Sequence, residues 1–363
     1  MKTLTVTFHH TTNYGAVLQT YALQQFIVSA GHENMVLETA PSARKKRVPK
    51  NCYQLIREIY FSYLRLKHGR EHRRLKECFA RFHDERINLT RPYNSMQDLR
   101  VSYPEVDCLI TGSDQVWNLK TTPEFIDARL LKFGTPSMRR FSYAASVEEL
   151  DYDESQKKYV TEALLKFDGV SLREESAREY IVSFSGISCE RVLDPVFLLT
   201  KKQWMEIAQS PRIKEPVILC YQVQSNKRMQ EVAEKLKKET GHPIVSICNS
   251  PIEWIDSDYT FHDVSVEEFL GFYAIASHVV SASFHGVAMA LVFEKPVYAM
   301  VKSNRASRLK EIMSLMGLDE YIIDQESRNT IPYFSLNDMS RSSVIKEEER
   351  KKSIIYLKKM LDE

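Results

Sequence analysis

The chain has 363 residues, 43% hydrophobic and 27% charged, with a formal net charge of +2. That length exceeds one ordinary core and predicts two domains, and the composition is that of a globular chain rather than a disordered one. No stretch approaches the roughly 20 apolar residues of a membrane span. Met1–Phe8 alternates like a strand rather than resembling a signal peptide, and six scattered cysteines without a CxxC pair suit a reduced, cytoplasmic protein without structural zinc.

In chain order, Thr3–Phe8 reads as a strand, and Ala16–Ala30 as a helix stopped by Gly31. Strands follow at Met35–Glu38, Val106–Ile110 and Arg140–Ala145. A helix is expected over Asp153–Phe167, a strand at Gly169–Leu172, a helix from Glu174 and a short strand at Val192–Pro195. The same grammar then restarts. Strands are expected at Pro216–Gln222, Pro243–Cys248, His278–Ser281 and Val297–Val301. Helices are expected at Lys227–Glu239, Val266–Ala276, Val287–Phe293 and Arg308–Met316. Strands alternating with helices predict an α/β fold with parallel sheets, arranged as two Rossmann-like domains facing a cleft. The expected division is 1–198, 199–335 and a charged terminal helix at 336–363, with Ile345, Ile354, Ile355, Leu357 and Leu361 as its candidate contacts.

A basic helical insertion is expected at about 41–90 in the first domain. Residues 41–86 hold fourteen Lys/Arg against five Asp/Glu, a net +9, with Tyr53, Leu55, Ile56, Ile59, Tyr60, Tyr63, Leu64 and Leu66 between the charges. Solvated helices packed on the body are one reading. The other is a peripheral contact with an anionic membrane or a lipid diphosphate, which salt would weaken. No recognition motif accompanies the charge, so nucleic acid is not an expected partner. His68 and His72 stand at i, i+4, but Gly69 and the surrounding arginines speak against a zinc pair. No metal site is expected. A G-x-S-x-G elbow and a phosphate P-loop are both absent from the sequence.

Three turns fall where a strand end passes into a helix or loop, the position that lines the ligand crevice of an open parallel sheet. They are His9–Ala16, Thr111–Asn118 and Ser281–Gly286. In the last, Ser283-Phe284-His285-Gly286 leads into an apolar helix, so free backbone N–H groups and a helix dipole would sit beside a histidine. Gly286 is expected to let the backbone approach a ligand.

These pieces together resemble the polysaccharide pyruvyl transferases. The resemblance rests on Asn13-Tyr14-Gly15-Ala16-Val17-Leu18-Gln19, Gly112-Ser113-Asp114-Gln115-Val116-Trp117-Asn118, Ser142–Ser146, Ser171–Ser176, Leu193-Asp194-Pro195-Val196 and Ser283–Gly286. It implies a fold similar to the GT-B glycosyltransferases. It also implies phosphoenolpyruvate as co-substrate, with no other cofactor, and a saccharide acceptor that can be polyprenyl-diphosphate-linked, worked on at the inner face of the cell membrane. The chemistry needs a proton donor and cationic or N–H groups for a carboxylate and a phosphate. His285 is the expected general acid, and Arg173, Ser283 and Gly286 the donor-binding set. Asn13, Tyr14, Gln19, Ser113, Asp114, Trp117 and Asn118 are expected at the acceptor or cleft. Family members can carry arginine where this chain has Ser283, and Arg305 and Arg308 are the candidate replacements. Arg173 has a structural alternative, pairing with Glu174 or Asp194.

Two other functions compete. A nucleotide-sugar glycosyltransferase would grip its diphosphate through groups such as Asp256, Asp258, Glu267 and Glu268. A non-catalytic polysaccharide-binding or assembly protein would stack sugars on Trp117, Tyr143 and Trp254.

Overall fold

Apolar runs of four to six residues, such as Cys108–Thr111, Val217–Gln222 and Val297–Val301, become parallel strands. In the computed structural model, residues 1–9, 12–39, 63–64, 67–120, 123–147, 150–223, 225–248, 252–302 and 307–362 are described. They divide into two compact Rossmann-like α/β units.

The first unit comprises Met1–Ala43, His83–Leu199 and Glu347–Glu363. Its strands β1 (Lys2–Val6), β2 (Glu33–Val36), β3 (Cys108–Thr111) and β4 (Arg139–Ser142) lie in the order β2-β1-β3-β4, all parallel. Leu4 sits opposite Leu109, and Ile110 opposite Phe141, so the register aligns apolar side chains across the sheet. The pair β5 (Ser171–Leu172) and β6 (Glu190–Arg191) continues this sheet through bridges from Phe141 to Gly169 and from Ala145 to Leu172. The short strand expected at Val192–Pro195 is displaced to Glu190–Arg191. Asp194 instead caps a 3-10 turn over Pro195–Phe197, because the fixed φ of proline suits the first position of such a turn.

The second unit comprises Thr200–Lys346 and the described part of Arg44–Phe82. Strands β7 (Val217–Gln222), β8 (Ile244–Cys248), β9 (Tyr259–Phe261), β10 (Ala276–Ser281), β11 (Val297–Val301) and β12 (Ile322–Asp324) form one parallel sheet, ordered β12-β11-β10-β7-β8-β9. Strands β7, β8 and β11 are buried along their length, as strands covered on both faces must be. Edge strands β9 and β12 have three residues each, too few for alternation to reveal them in the sequence.

The two units are not contiguous segments of chain, as the expected division had them. The terminal helix Leu336–Asp362 is not a separate appendage: from Glu347 onward it belongs to the first unit. Ser353, Tyr356, Leu357, Met360 and Leu361 are buried and recur at the i, i+3, i+4, i+7 spacing of one helical face. Tyr356 Oη donates to Ser142 O at 3.0 Å, and Ser353 Oγ accepts from Leu193 N at 2.8 Å. Ile355, an expected contact, falls off that face and is 68% exposed.

The described part of the basic segment also departs from the expected insertion in the first domain. Helix Gly69–Arg86 starts in the second unit, where Leu75, Phe79 and Phe82 bury one face and Arg74 reaches Asp263 at 3.3 Å. Residues 40–62 and 65–66, which carry most of the aromatic and aliphatic side chains of the membrane reading, lie outside the described residues. Among the described residues, no helix is long and apolar enough to cross a membrane.

Candidate active site

Each unit carries one cluster of the residues singled out by sequence. In the first unit it forms at the C-terminal ends of β1, β3, β4 and β5. Gln19, on helix Tyr14–Ser29, donates through Nε2 to Thr7 Oγ1 at 2.9 Å, and Thr7 Oγ1 donates to Ser113 O at 2.9 Å. Ser113 Oγ in turn donates to Asp194 Oδ2 at 2.9 Å. Arg173 binds that carboxylate from the other side, with Nη1 to Oδ2 at 2.7 Å, and its Nε donates to Glu174 Oε1 at 2.9 Å. Ser146 Oγ donates to the same Glu174 oxygen at 3.0 Å.

Arg173, Glu174 and Asp194 are 2%, 3% and 0% exposed at their side chains. Burial works against the guanidinium charge. Glu174, Asp194 and Asp114 outweigh it and hold Arg173 above its ordinary value. One cation shared by two carboxylates is the structural pairing weighed from the sequence, and such a group has no surplus positive charge for an anionic ligand. Glu174, Asp194 and Ser146 were not among the expected site residues, although each lies in a segment carrying the resemblance. The available signal was the adjacency of Glu174 to Arg173, since a buried arginine needs an acidic partner.

Backbone strain marks the same strand ends. Asp114 after β3 and Ala144 after β4 have φ of 69° and 53°, and neither is glycine. Non-glycine residues in the left-handed region concentrate at ligand sites. Asp114 is half-buried; its carbonyl accepts from Val116 N at 2.7 Å and Ser146 N at 3.0 Å.

In the second unit, β10 ends at Ser281 and the following helix runs Phe284–Val292. Ser283 is its N-cap and accepts from Gly286 N at 3.4 Å, so the helix begins three residues earlier than hydrophobic periodicity predicts, and His285 lies in its first turn. His285 is 8% exposed and packs edge-on against Phe284 with ring centroids 5.2 Å apart. Gly286 meets a packing requirement. A Cβ there would collide with Ser281 and the Tyr221 ring, and Tyr273 Oη donates to Gly286 O at 3.0 Å. Its missing side chain lets the helix seat on β10 and β7, which is a packing requirement within the unit.

The remaining expected residues are dispersed. Asn13 is exposed and caps helix Tyr14–Ser29 through Gly15 N at 3.0 Å, while Tyr14 is buried. Trp117 is fully buried and donates its indole N–H to Arg129 O at 3.3 Å, and Tyr143 is fully buried too. Neither ring can stack on a sugar, because both lie wholly within the core. Trp254 is half-buried. Arg129 braces the same turn through Val116 O at 2.9 Å, and burial pulls its pKa down to about 10. Asn118 is half-buried and accepts from Lys120 N at 3.0 Å. Arg305 lies outside the described residues, and Arg308 is half-buried in helix Ser307–Leu315. Of the acidic groups proposed to grip a nucleotide, Asp258 binds Lys237 and Ile244 N, and Glu268 binds Arg212.

The family model for polysaccharide pyruvyl transferase matches residues 13–304. Among solved structures, a candidate UDP-N-acetylglucosamine 2-epimerase from Listeria monocytogenes aligns with 98% of this chain and 90% of its own, at 13% identity and a TM-score of 0.50. The UDP-GlcNAc 2-epimerase from Neisseria meningitidis bound to UDP-GlcNAc aligns over 97% and 100%, at 14% identity and a TM-score of 0.47. An alpha-glucosyltransferase in complex with UDP and a 13-mer DNA aligns over 98% and 95%, at 12% identity and a TM-score of 0.49. At these identities the likeness is one of fold. A search of curated proteins finds no significant match.

Proposed function

The chain belongs to the polysaccharide pyruvyl transferase family, and from that premise we propose that it forms a pyruvate ketal on a saccharide with phosphoenolpyruvate as donor. The observation that carries this reading is the family match over residues 13–304, which takes in the polar strand ends of the first unit and the His285 turn of the second.

The reaction adds a proton to the methylene carbon of the donor. A sugar oxygen then bonds to the neighbouring carbon, and a second sugar oxygen replaces the phosphate there. One hydroxyl proton balances the proton delivered to carbon, and the other leaves with the phosphate. His285 is the proposed proton donor, since imidazole exchanges protons near neutral pH. The first turn of the Phe284–Val292 helix supplies N–H groups and a positive dipole end for the donor's anionic groups. Arg305 and Arg308 are the proposed cations, in place of the arginine that Ser283 lacks.

Arg173 takes a different part from the one its sequence position suggests. Held by Glu174 and Asp194, it acts as a positioning residue that fixes the ends of β3, β4 and β5. The test is release of inorganic phosphate from phosphoenolpyruvate in the presence of a lipid-linked oligosaccharide, together with a mass gain on the acceptor. Release of UDP from a nucleotide sugar, with no phosphate from phosphoenolpyruvate, would replace this reading with glycosyl transfer.

A further inference from the structure

Outside the site just described, two histidines and a glutamate of the second unit converge. His68 immediately precedes helix Gly69–Arg86, while Glu253 and His262 lie on either side of β9. One donor atom from each lies within 4.8 Å of the other two. His262 Nε2 and Glu253 Oε1 are 3.1 Å apart, and the His68 and His262 ring centroids are 4.3 Å apart. From these residues we infer that His68, His262 and Glu253 form a site for a divalent transition metal, with zinc the best fit.

Two features point to an ion rather than to a chance contact. His68 is 9% exposed, and its buried Nε2 has no hydrogen-bond partner among the described residues. A buried imidazole nitrogen left in that state costs free energy unless something occupies it. The other nitrogen, Nδ1, faces Glu71 Oε1 at 3.9 Å. That is ion-pair range rather than a hydrogen bond, and it puts a carboxylate on the side of the ring where the outer-shell partner of a ligating imidazole stands.

Two imidazoles and a carboxylate make a three-ligand zinc set, with a fourth position left for water. Ligands about 2.0–2.2 Å from zinc in a tetrahedron stand roughly 3.3–3.6 Å apart. The Glu253–His262 pair, at 3.1 Å, stands slightly inside that spacing, and the His68 donor, within 4.8 Å of both, needs to close by about 1.5 Å at most. The scaffold on both sides is fixed. Asp263, next to His262, binds Arg212 at 2.7 Å and Arg74 of the helix that follows His68 at 3.3 Å. The metal would therefore staple the start of the basic helix to the β9 edge of the sheet. Sequence spacing pointed instead to His72, and argued against any metal. A helix turn does bring residues i and i+4 together, but the two partners of His68 lie 185 and 194 residues further along the chain.

The test uses the full chain, stripped of metal with a chelator and titrated with Zn²⁺ alone by competition against a chromophoric indicator. We expect one equivalent to bind, with affinity falling at least tenfold in His262→Gln and Glu253→Gln and unchanged in His72→Gln. Glu253 is partly exposed, so its variant should fold even if a histidine variant does not. Co²⁺ added to the unmodified chain gives a second readout: strong visible absorption of a tetrahedral ion is expected. The inference is overturned if the stripped chain binds no Zn²⁺ or shows only the weak spectrum of hydrated Co²⁺. It is equally overturned if His72→Gln weakens binding while His262→Gln does not.

Discussion

Replacement of Arg173 by methionine separates a positioning role from an anion clamp. The substitution removes a cation bonded to both Glu174 Oε1 and Asp194 Oδ2, and leaves two carboxylates whose side chains are 3% and 0% exposed. Breaking a buried ion pair from one side costs about 3–5 kcal/mol, because the surviving charge has lost its counter-ion without regaining water. For a domain of 150–250 residues each kcal/mol moves the unfolding midpoint by roughly 2–4 °C, so a drop of roughly 6–20 °C is expected. Ser113 Oγ, Ser146 Oγ and Val196 N can still donate to those carboxylates, which places the loss toward the lower half of that range. The assay is thermal unfolding followed by circular dichroism. The triple variant Arg173→Met/Glu174→Gln/Asp194→Asn removes all three charges while keeping acceptors for those donors, and should recover more than half of the loss. An Arg173→Met protein that melts like the parent, with only its KM for phosphoenolpyruvate raised, would refute the positioning argument and restore the clamp.

Replacing His285 with alanine should lower turnover a hundredfold or more with an unchanged circular dichroism spectrum, the size expected for a lost general acid; near-normal turnover would make the residue structural. Gly286→Ala should destabilise by about 1–3 kcal/mol although alanine is the better helix former, because the new methyl has only Ser281 and the Tyr221 ring to push against; a raised melting temperature would show that the helix shifts freely. His278, on β10, is held below the ordinary histidine value by burial and then by His242. The unfolded chain then binds more protons in the window just below pH ~6.5, so this contribution to stability is present above that pH and lost as pH falls through the window. An NMR titration midpoint for His278 at or above ~6.5 would contradict this, as would an unaltered acid limb of stability in His278→Gln.

Most of the fold was legible in the sequence because it is written in local patterns. Val297–Val301 and Val217–Gln222 are apolar runs of strand length between turns, and a parallel strand buried on both faces needs no more signal than that. The segment Ser283–Gly286 was legible as a helix start for the same local reason, since a serine whose oxygen reaches the amide three residues on is a cap wherever it occurs. What Gly286 is for was not legible. The same residue type serves close approach to a ligand or to a neighbouring strand, and the approach to Ser281 and Tyr221 exists only in the folded unit. Trp117 poses the same ambiguity: an aromatic beside polar residues can face a sugar or a core, and the depth of the turn settled it. The ion cluster was half visible, since Arg173-Glu174 are adjacent in sequence. Asp194 meets Arg173 only because β5 and β6 pair in parallel and bring their ends together. Residues 68, 253 and 262 carry no joint signal at all. Their proximity, like the return of residues 353–361 to the first unit, exists only once the chain has folded, because hydrophobic burial fixes which distant segments meet and sequence spacing records only which are near along the chain.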